Sequence, residues 1–143
     1  MYSQVNGMGL FGMNAFKVTA EIISSRGQPS FDIVGLGDLA VQESKMRIKG
    51  ALAGLGINIS GQKLTVNLAP ADVRKCGSLY DFTIIAAILA VNNIITDDLS
   101  DCAFIGEVSL GGSLVFTGGV ISMAIEAAKC GIKRIFLPAE NAK

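Results

Sequence analysis

The protein has 143 residues, the size of a single domain with a substantial core. Lys plus Arg is 12 and Asp plus Glu is 12, so the net charge of zero gives no indication of nucleic-acid binding. Histidine is absent, which excludes Ser-His-Asp catalysis and imidazole metal sites. The mean hydropathy of +0.51 predicts a sheet covered on both faces, or an apolar surface that meets a neighbour.

The cysteines and the longest apolar run indicate the cellular compartment of the protein. Cys76, Cys102 and Cys130 are widely spaced, which is typical of reduced thiols in a cytoplasmic protein. The longest apolar run, around residues 82–91, is about half of the roughly 20 residues that a membrane span requires. We therefore expect a cytoplasmic protein that has no membrane partner.

The first elements predicted in chain order are two strands. Residues 16–25 alternate between apolar and polar side chains, which is the period of a half-buried strand. Residues 26–29 have the composition of a turn, and residues 30–34 form a second strand. The short turn predicts that these two strands pair as a hairpin.

A helix is predicted next, from Asp38 as N-cap to about residue 55. We expect Glu43 and Arg47, four residues apart, to pair on its solvent-facing side. The face expected to turn toward the core carries Val41, Ile48, Leu52 and Leu55.

The second half of the chain continues the alternation of strands and helices. A strand at 63–68, a loop at 70–78 and a helix at 79–91 come first. That helix is apolar nearly all round, so we expect it to be central, with Phe82, Ile85 and Leu89 in the core. The elements that follow are a hairpin of strands 104–110 and 113–116 around Gly111 and Gly112, a helix at 120–129 and a strand at 134–137. This order predicts an α/β (α+β) domain with helices packed on a mixed sheet.

A polar loop between two apolar elements is the candidate functional segment, because loops between buried elements often carry function. Its residues are Asp72, Arg74, Lys75, Ser78 and Asp81. One interpretation is a divergent Ser-Lys peptidase that uses Ser78 with Lys75 or Lys129. The other is a solvated loop that keeps Lys75 charged and places Asp81 near a helix N-terminus. Glu107, in the apolar strand at 104–110, is expected to face outward.

A glycine pattern provides a third hypothesis, a small nucleotide-binding module at Gly35 to Ala40. Gly35-x-Gly37-x-x-Ala40 follows a predicted strand and opens a predicted helix, as in a dinucleotide fingerprint. Two observations oppose it. The strand is expected to pair as a hairpin, and no acidic residue lies between Glu43 and Asp72 to hold a ribose.

A Walker A loop is missing from the sequence. The nearest pattern, Gly56 to Gly61 followed by Gln62-Lys63-Leu64, lacks the Lys and the Ser or Thr at the required positions. We therefore expect no cofactor in this chain and no ATP binding of the P-loop type.

Several segments together resemble the N-terminal domain of the magnesium-chelatase-like AAA+ proteins, the YifB/ComM group. The matching segments are residues 31–36, 40–47, 66–81, 105–110, Gly119 and 131–138. The resemblance implies a fold similar to the Lon protease catalytic domain and to ribosomal protein S5 domain 2. It also implies that residues 1–143 are a single domain, with an ATPase module that binds ATP and Mg after Lys143.

The same resemblance implies partners and a catalytic status. The partners would be the AAA+ module and neighbouring subunits of a ring, with DNA bound only through the full-length protein, a motor of DNA uptake and recombination. Aligned with Lon, the position of the nucleophilic serine falls on Leu79 and that of the catalytic lysine on Met123. We therefore expect a Lon-like fold that has no catalytic residues and serves assembly or partner binding.

Overall fold

A mixed six-stranded sheet organises the protein, as seen in a computed structural model that describes residues 1–75 and 77–142. Cys76 lies outside the described residues, whereas Cys102 and Cys130 are free thiols. The strands are β1 (Tyr2–Phe11), β2 (Asn14–Ser25), β3 (Ser30–Val34), β4 (Lys63–Ala69), β5 (Cys102–Phe104), β6 (Glu107–Val108), β7 (Leu114–Val115) and β8 (Arg134–Phe136). The helices are α1 (Asp38–Gly54), α2 (Asp81–Val91) and α3 (Val120–Lys129), followed by a 3₁₀ turn at Ala139–Ala142.

The strand order β3-β4-β2-β1-β5-β8 combines antiparallel and parallel pairs. β1 pairs with β2, and β2 with β4, in antiparallel register. The pairs β3 with β4, β1 with β5 and β5 with β8 are parallel. β6 and β7 form a separate two-stranded hairpin. The prediction of an α/β fold with a mixed sheet is confirmed.

The start of the sheet differs from the prediction in two ways. β1 was not predicted, because its glycines interrupt the apolar alternation of a strand. Those glycines have a packing role, since a Cβ on Gly7 would lie 2.2 Å from the Thr83 hydroxyl oxygen of α2. The predicted hairpin of residues 16–25 with 30–34 is wrong, because β4 lies between β2 and β3. β3, α1 and β4 instead form a parallel crossover unit.

The main hydrophobic core lies between the sheet and helices α1 and α2. Alternate residues of β2 and β4, such as Val18 and Val66, are fully buried in it. In α2, Ile84 and Ile88 are fully buried and Ile85 nearly so. Phe82 and Leu89, which were predicted in the core together with Ile85, pack against it but are half-buried. The remaining core residues include Val5, Ala20, Ile22, Phe31, Ile33, Ile48, Leu52, Leu64 and Leu68.

A second, smaller cluster places α3 against β1 and β5. Its buried members are Met8, Ala103, Ile105, Met123, Ala127 and Ile132. Met8 and Val5 belong to different clusters and have opposite parity in β1, so the two clusters cover opposite faces of the sheet. The prediction of a sheet covered on both faces is met over these central strands.

Helix α1 begins and ends close to the predicted positions, but its contacts differ. The N-cap residue is Gly37, and Asp38 lies in the first turn. Ser44, Ile48 and Leu52 are buried, whereas Leu55, predicted to face the core, is 58% exposed. The predicted orientation of the helix is therefore correct at its centre only.

The C-terminal elements agree more closely with the sequence. Helix α3 has the predicted bounds, and the turn at Gly111 and Gly112 joins β6 to β7. The predicted strand at 104–110 is split into β5 and β6. The break is at Gly106, whose φ of 143° is a conformation that favours glycine.

Candidate functional site

The five residues of the predicted functional loop do not form one site. Asp72 and Arg74 are exposed, and Ser78 is half-buried. Lys75 and Asp81 are buried, with 5% and 1% of their surface exposed. The loop therefore contributes buried polar groups to the interior of the domain.

Asp81, the first residue of α2, joins three elements through its carboxylate. It accepts hydrogen bonds from the Ser44 hydroxyl at 2.7 Å and from the Val108 N–H at 3.3 Å. Arg47 donates from Nε at 2.6 Å and from Nη2 at 3.1 Å, which is a two-point ion pair. The helix dipole also favours a carboxylate at this position. Asp81 thus connects α1, α2 and β6.

The predicted pair of Glu43 and Arg47 is replaced by the pair of Arg47 and Asp81. The hydrogen bond to Asp81 raises the pKa of the Arg47 guanidinium above its usual value, with burial opposing the shift. Glu43 and Glu107 raise the pKa of Arg47 further, through their negative charges. The prediction failed because Arg47 shares a helix face with the buried Ser44, which turns the guanidinium toward the core.

Ser78 donates a hydrogen bond to a carboxylate oxygen of Glu107. The expectation that Glu107 faces outward is therefore wrong, since this half-buried side chain contacts the loop. A carboxylate is a weak base for a serine hydroxyl. The contact ties the loop to β6 but gives Ser78 little activation.

Lys75 is held within its own loop. Its ammonium group donates to the backbone oxygen of Pro70 and, at 3.0 Å, to that of Val73. Burial lowers the pKa of Lys75 from its ordinary value, with the charge of Asp72 opposing the shift. The expectation that Lys75 is solvated is wrong. Across residues 1–75 and 77–142, no hydrogen bond joins Lys75 to Ser78.

The positions that align with the Lon dyad lie together in an apolar cluster. Met123 is fully buried among Met8, Ala127 and their neighbours. Leu79 packs against the same cluster, and its backbone oxygen accepts a hydrogen bond from Gly106 at 3.0 Å. Both positions expected to align with the Lon dyad therefore hold apolar side chains that pack in this cluster. Lys129, the other candidate base, is exposed near the end of α3.

Asp81 and its side-chain partners Ser44 and Arg47 form what we call the Asp81 cluster. An open cleft of about 470 Å³ lies beside it. Its lining residues are Leu39, Ala40, Glu43, Arg47, Gly77, Ser78 and Glu107. Arg47 is neutralised by Asp81, which leaves two carboxylates in the cleft. In the described part of the chain, no group of three His, Cys, Asp or Glu side chains is arranged to hold a metal ion.

The glycine turn before α1 is explained by strand packing. Gly35 has a φ of 105°, and a Cβ there would lie 2.6 Å from the backbone oxygen of Leu68. One argument against nucleotide binding is overturned, since β3 and β4 are parallel neighbours joined by α1. The other argument remains, because the sequence has no acidic residue between Glu43 and Asp72.

The comparison with known families shows the family of this chain. The family described as subunit ChlI of Mg-chelatase matches residues 20–141, a range that includes Leu79, Asp81 and Met123. The chain belongs to this magnesium-chelatase-like family. Within it, the chain is 38% identical to YifB of Escherichia coli K12 over 134 residues, which are 93% of this chain and 26% of YifB.

Two further relatives support the resemblance seen in the sequence. Competence protein ComM of Haemophilus influenzae is 36% identical over 132 residues, which are 92% of this chain and 26% of ComM. Lon protease 4 of Sorangium cellulosum is 28% identical over 127 residues, which are 82% of this chain and 15% of the protease. The chain therefore spans about a quarter of the length of the magnesium-chelatase-like relatives YifB and ComM.

Sequence reasoning missed Ser44, Arg47 and Glu107 as partners of the loop. A signal was present for Ser44, a polar residue on the apolar face of a predicted helix. Such a residue needs a hydrogen-bond partner when buried.

No helix among residues 1–75 and 77–142 has the length and apolar character to span a bilayer.

Proposed function

We propose that this chain is a non-catalytic Lon-like domain of a magnesium-chelatase-like AAA+ ATPase, and that it serves assembly or partner binding. The observation that carries the proposal is the apolar cluster shared by Leu79 and Met123, the two positions that align with the Lon dyad. Neither side chain can act as a nucleophile or a base. A fold related to a peptidase, with apolar residues at both catalytic positions, is better suited to binding than to hydrolysis.

The contacts of the remaining candidates support the same conclusion. Ser78 donates to Glu107, and the buried Lys75 ammonium donates to two backbone oxygens of its own loop. A Ser-Lys peptidase requires the neutral amine to accept the proton of the serine hydroxyl. The two side chains are therefore engaged with other groups, and a dyad would require the loop to rearrange.

The remainder of the proposal concerns the whole protein. ATP and Mg would bind in an AAA+ module, and the present domain would contact that module and neighbouring subunits of a ring in the cytoplasm. A relative is named a competence protein, ComM. From this name we propose that the whole protein is a motor that processes DNA during uptake and recombination, and that DNA is bound by the full-length protein.

The test is a peptidase assay combined with serine labelling. We expect the domain to leave fluorescent casein and short peptides intact, and a fluorophosphonate probe to leave Ser78 unlabelled. A Lon protease serves as the positive control, and Ser122→Ala, at an exposed position of α3, as the matched variant. Stoichiometric labelling that is abolished by Ser78→Ala and kept by Ser122→Ala would move the chain to the peptidases.

A further inference from the structure

A mostly apolar, partly open cavity of about 360 Å³ lies at the edge of the sheet. It is lined by the last turns of α1, by the loop of residues 57–62 and by the starts of β3 and β4. Its apolar walls are Pro29, Phe31, Leu52, Ala53, Ile57, Ile59 and Leu64. The volume is within the range of protein sites that bind small ligands or single side chains.

The open edge of β3 is the first indication that an extended chain binds beside this cavity. β3 is the terminal strand of the sheet, and its Ser30 N–H donates to the Gln62 backbone oxygen at 3.2 Å. In a parallel ladder, alternate residues face the same neighbour, so Phe31 and Ile33 direct their backbone groups toward the open edge. Because Phe31 also lines the cavity, a strand added here would place a side chain over it.

Charge defines the chemistry of the partner. Among the described residues, Lys49 is the single charged residue in the lining of the cavity, and it is exposed. Lys63, at the start of β4, is exposed nearby. None of the lining residues in the described part of the chain is a carboxylate, so the rim favours an acidic group on the partner.

One ion pair joins α1 to the edge strand β3. Lys45 Nζ lies 3.8 Å from the Asp32 carboxylate, which is 60% exposed. Exposed pairs of this kind contribute about 0–1 kcal/mol. Charged side chains on an edge strand also limit non-specific pairing. The pair therefore restricts access without closing the edge to a complementary strand.

We propose that the β3 edge and its cavity bind an extended segment of a partner protein. The segment pairs with the backbone of Phe31 and Ile33, inserts one apolar side chain into the cavity and places a carboxylate near Lys49. This inference rests on the proposed partner-binding role. Its test uses binding instead of hydrolysis, so a positive peptidase assay would refute that role and leave the binding result unaffected.

The test is fluorescence anisotropy with a labelled octapeptide of alternating threonine and valine. It carries a central leucine followed two positions later by glutamate, which puts both on one face of a strand. Two comparison peptides have either prolines in place of two threonines, which removes backbone donors, or lysine in place of glutamate. We expect saturable binding of the first peptide and much weaker binding of the other two.

Variants locate the site. Ala53→Trp fills the cavity and should weaken binding at least about tenfold, equivalent to about 1.4 kcal/mol. Lys49→Glu should weaken it severalfold. Ala128→Trp and Lys129→Glu, at exposed positions of α3, are the matched controls and should bind as the unaltered protein does. Circular dichroism verifies that each variant is folded, and Lys49→Glu carries the test if Ala53→Trp is unfolded.

Three results would overturn the inference. The first is an absence of saturable binding at millimolar peptide. The second is equal binding of the proline peptide, which would exclude strand pairing. The third is unchanged binding to folded Ala53→Trp or Lys49→Glu, which would place the peptide elsewhere on the domain.

Discussion

At the scale of single residues, one buried carboxylate connects distant parts of the chain. Asp81 could be predicted as a helix-start residue, because a carboxylate before an apolar helix is favoured by the dipole. Its partners could not be predicted, since Ser44 and Arg47 are more than thirty positions away and the close approach of α1 depends on packing. Local sequence patterns predict contacts between residues close in the chain, and the contacts of Asp81 with Ser44 and Arg47 are not of that kind.

The first prediction concerns this carboxylate. Asp81→Asn leaves Arg47 without its charged partner in a partly buried position, and we expect a loss of about 3 kcal/mol in the free energy of unfolding. Urea unfolding measures it. Asp72→Asn, at an exposed position of the same loop, should change stability by less than about 0.5 kcal/mol. Equal effects of the two variants would mean that the cluster around Asp81 contributes little.

The second prediction concerns Lys75 and pH. Burial lowers the folded-state pKa of Lys75 below its ordinary value of 10.5. Between these two values the unfolded chain binds more protons than the folded chain, so stability rises with pH in that alkaline window. Below the folded-state pKa, the full cost of burying the charge remains.

The measurement compares the protein with Lys75→Met. The difference in unfolding free energy should shift in favour of the unaltered protein as pH rises from neutral to about 10, near the ordinary pKa of lysine. Subtraction between the two proteins cancels the titration of groups they share. A difference that stays constant with pH would show that the ammonium group is solvated in the folded state.

At the scale of elements, a helix or strand was predicted correctly where its local sequence pattern was strong. The bounds of α3 agreed with the sequence, because Gly118 and Gly119 precede it and Gly131 follows it. β1 was missed for the opposite reason. Its glycines allow α2 to approach the sheet closely, and that requirement exists only in the folded protein.

The third prediction concerns the central helix. α2 is apolar nearly all round, so the sequence could not decide which face is most deeply buried. Ile88 is fully buried and Leu89 is half-buried. We expect Ile88→Ala to cost about 2–5 kcal/mol, as large-to-small core changes do. Leu89→Ala should cost clearly less in the same urea titration, and the reverse order would contradict the described packing of α2.

At the scale of the whole molecule, the resemblance identified the fold class more reliably than the patterns identified strand pairing. Pairing of β2 with β4 and of β3 with β4 joins segments separated by the whole of α1. The turn at residues 26–29 looks like a hairpin connection in sequence, yet it joins strands that are not neighbours. Tertiary packing therefore overrode a local turn signal.

The fourth prediction concerns nucleotide binding by the chain. A phosphate site of the P-loop type requires a glycine-rich loop that leads into a helix N-terminus. Here the glycine segment at 56–61 leads into the strand β4, and at the turn before α1 the glycine Gly35 is required by contact with Leu68. We therefore expect no saturable heat when Mg-ATP is titrated into this chain in a calorimeter. Micromolar binding that is lost in Gly37→Val would establish the turn at 35–40 as a nucleotide site. Under the proposed function, a longer protein that includes an AAA+ module should bind Mg-ATP under the same conditions, so the comparison assigns ATP binding to one part or the other.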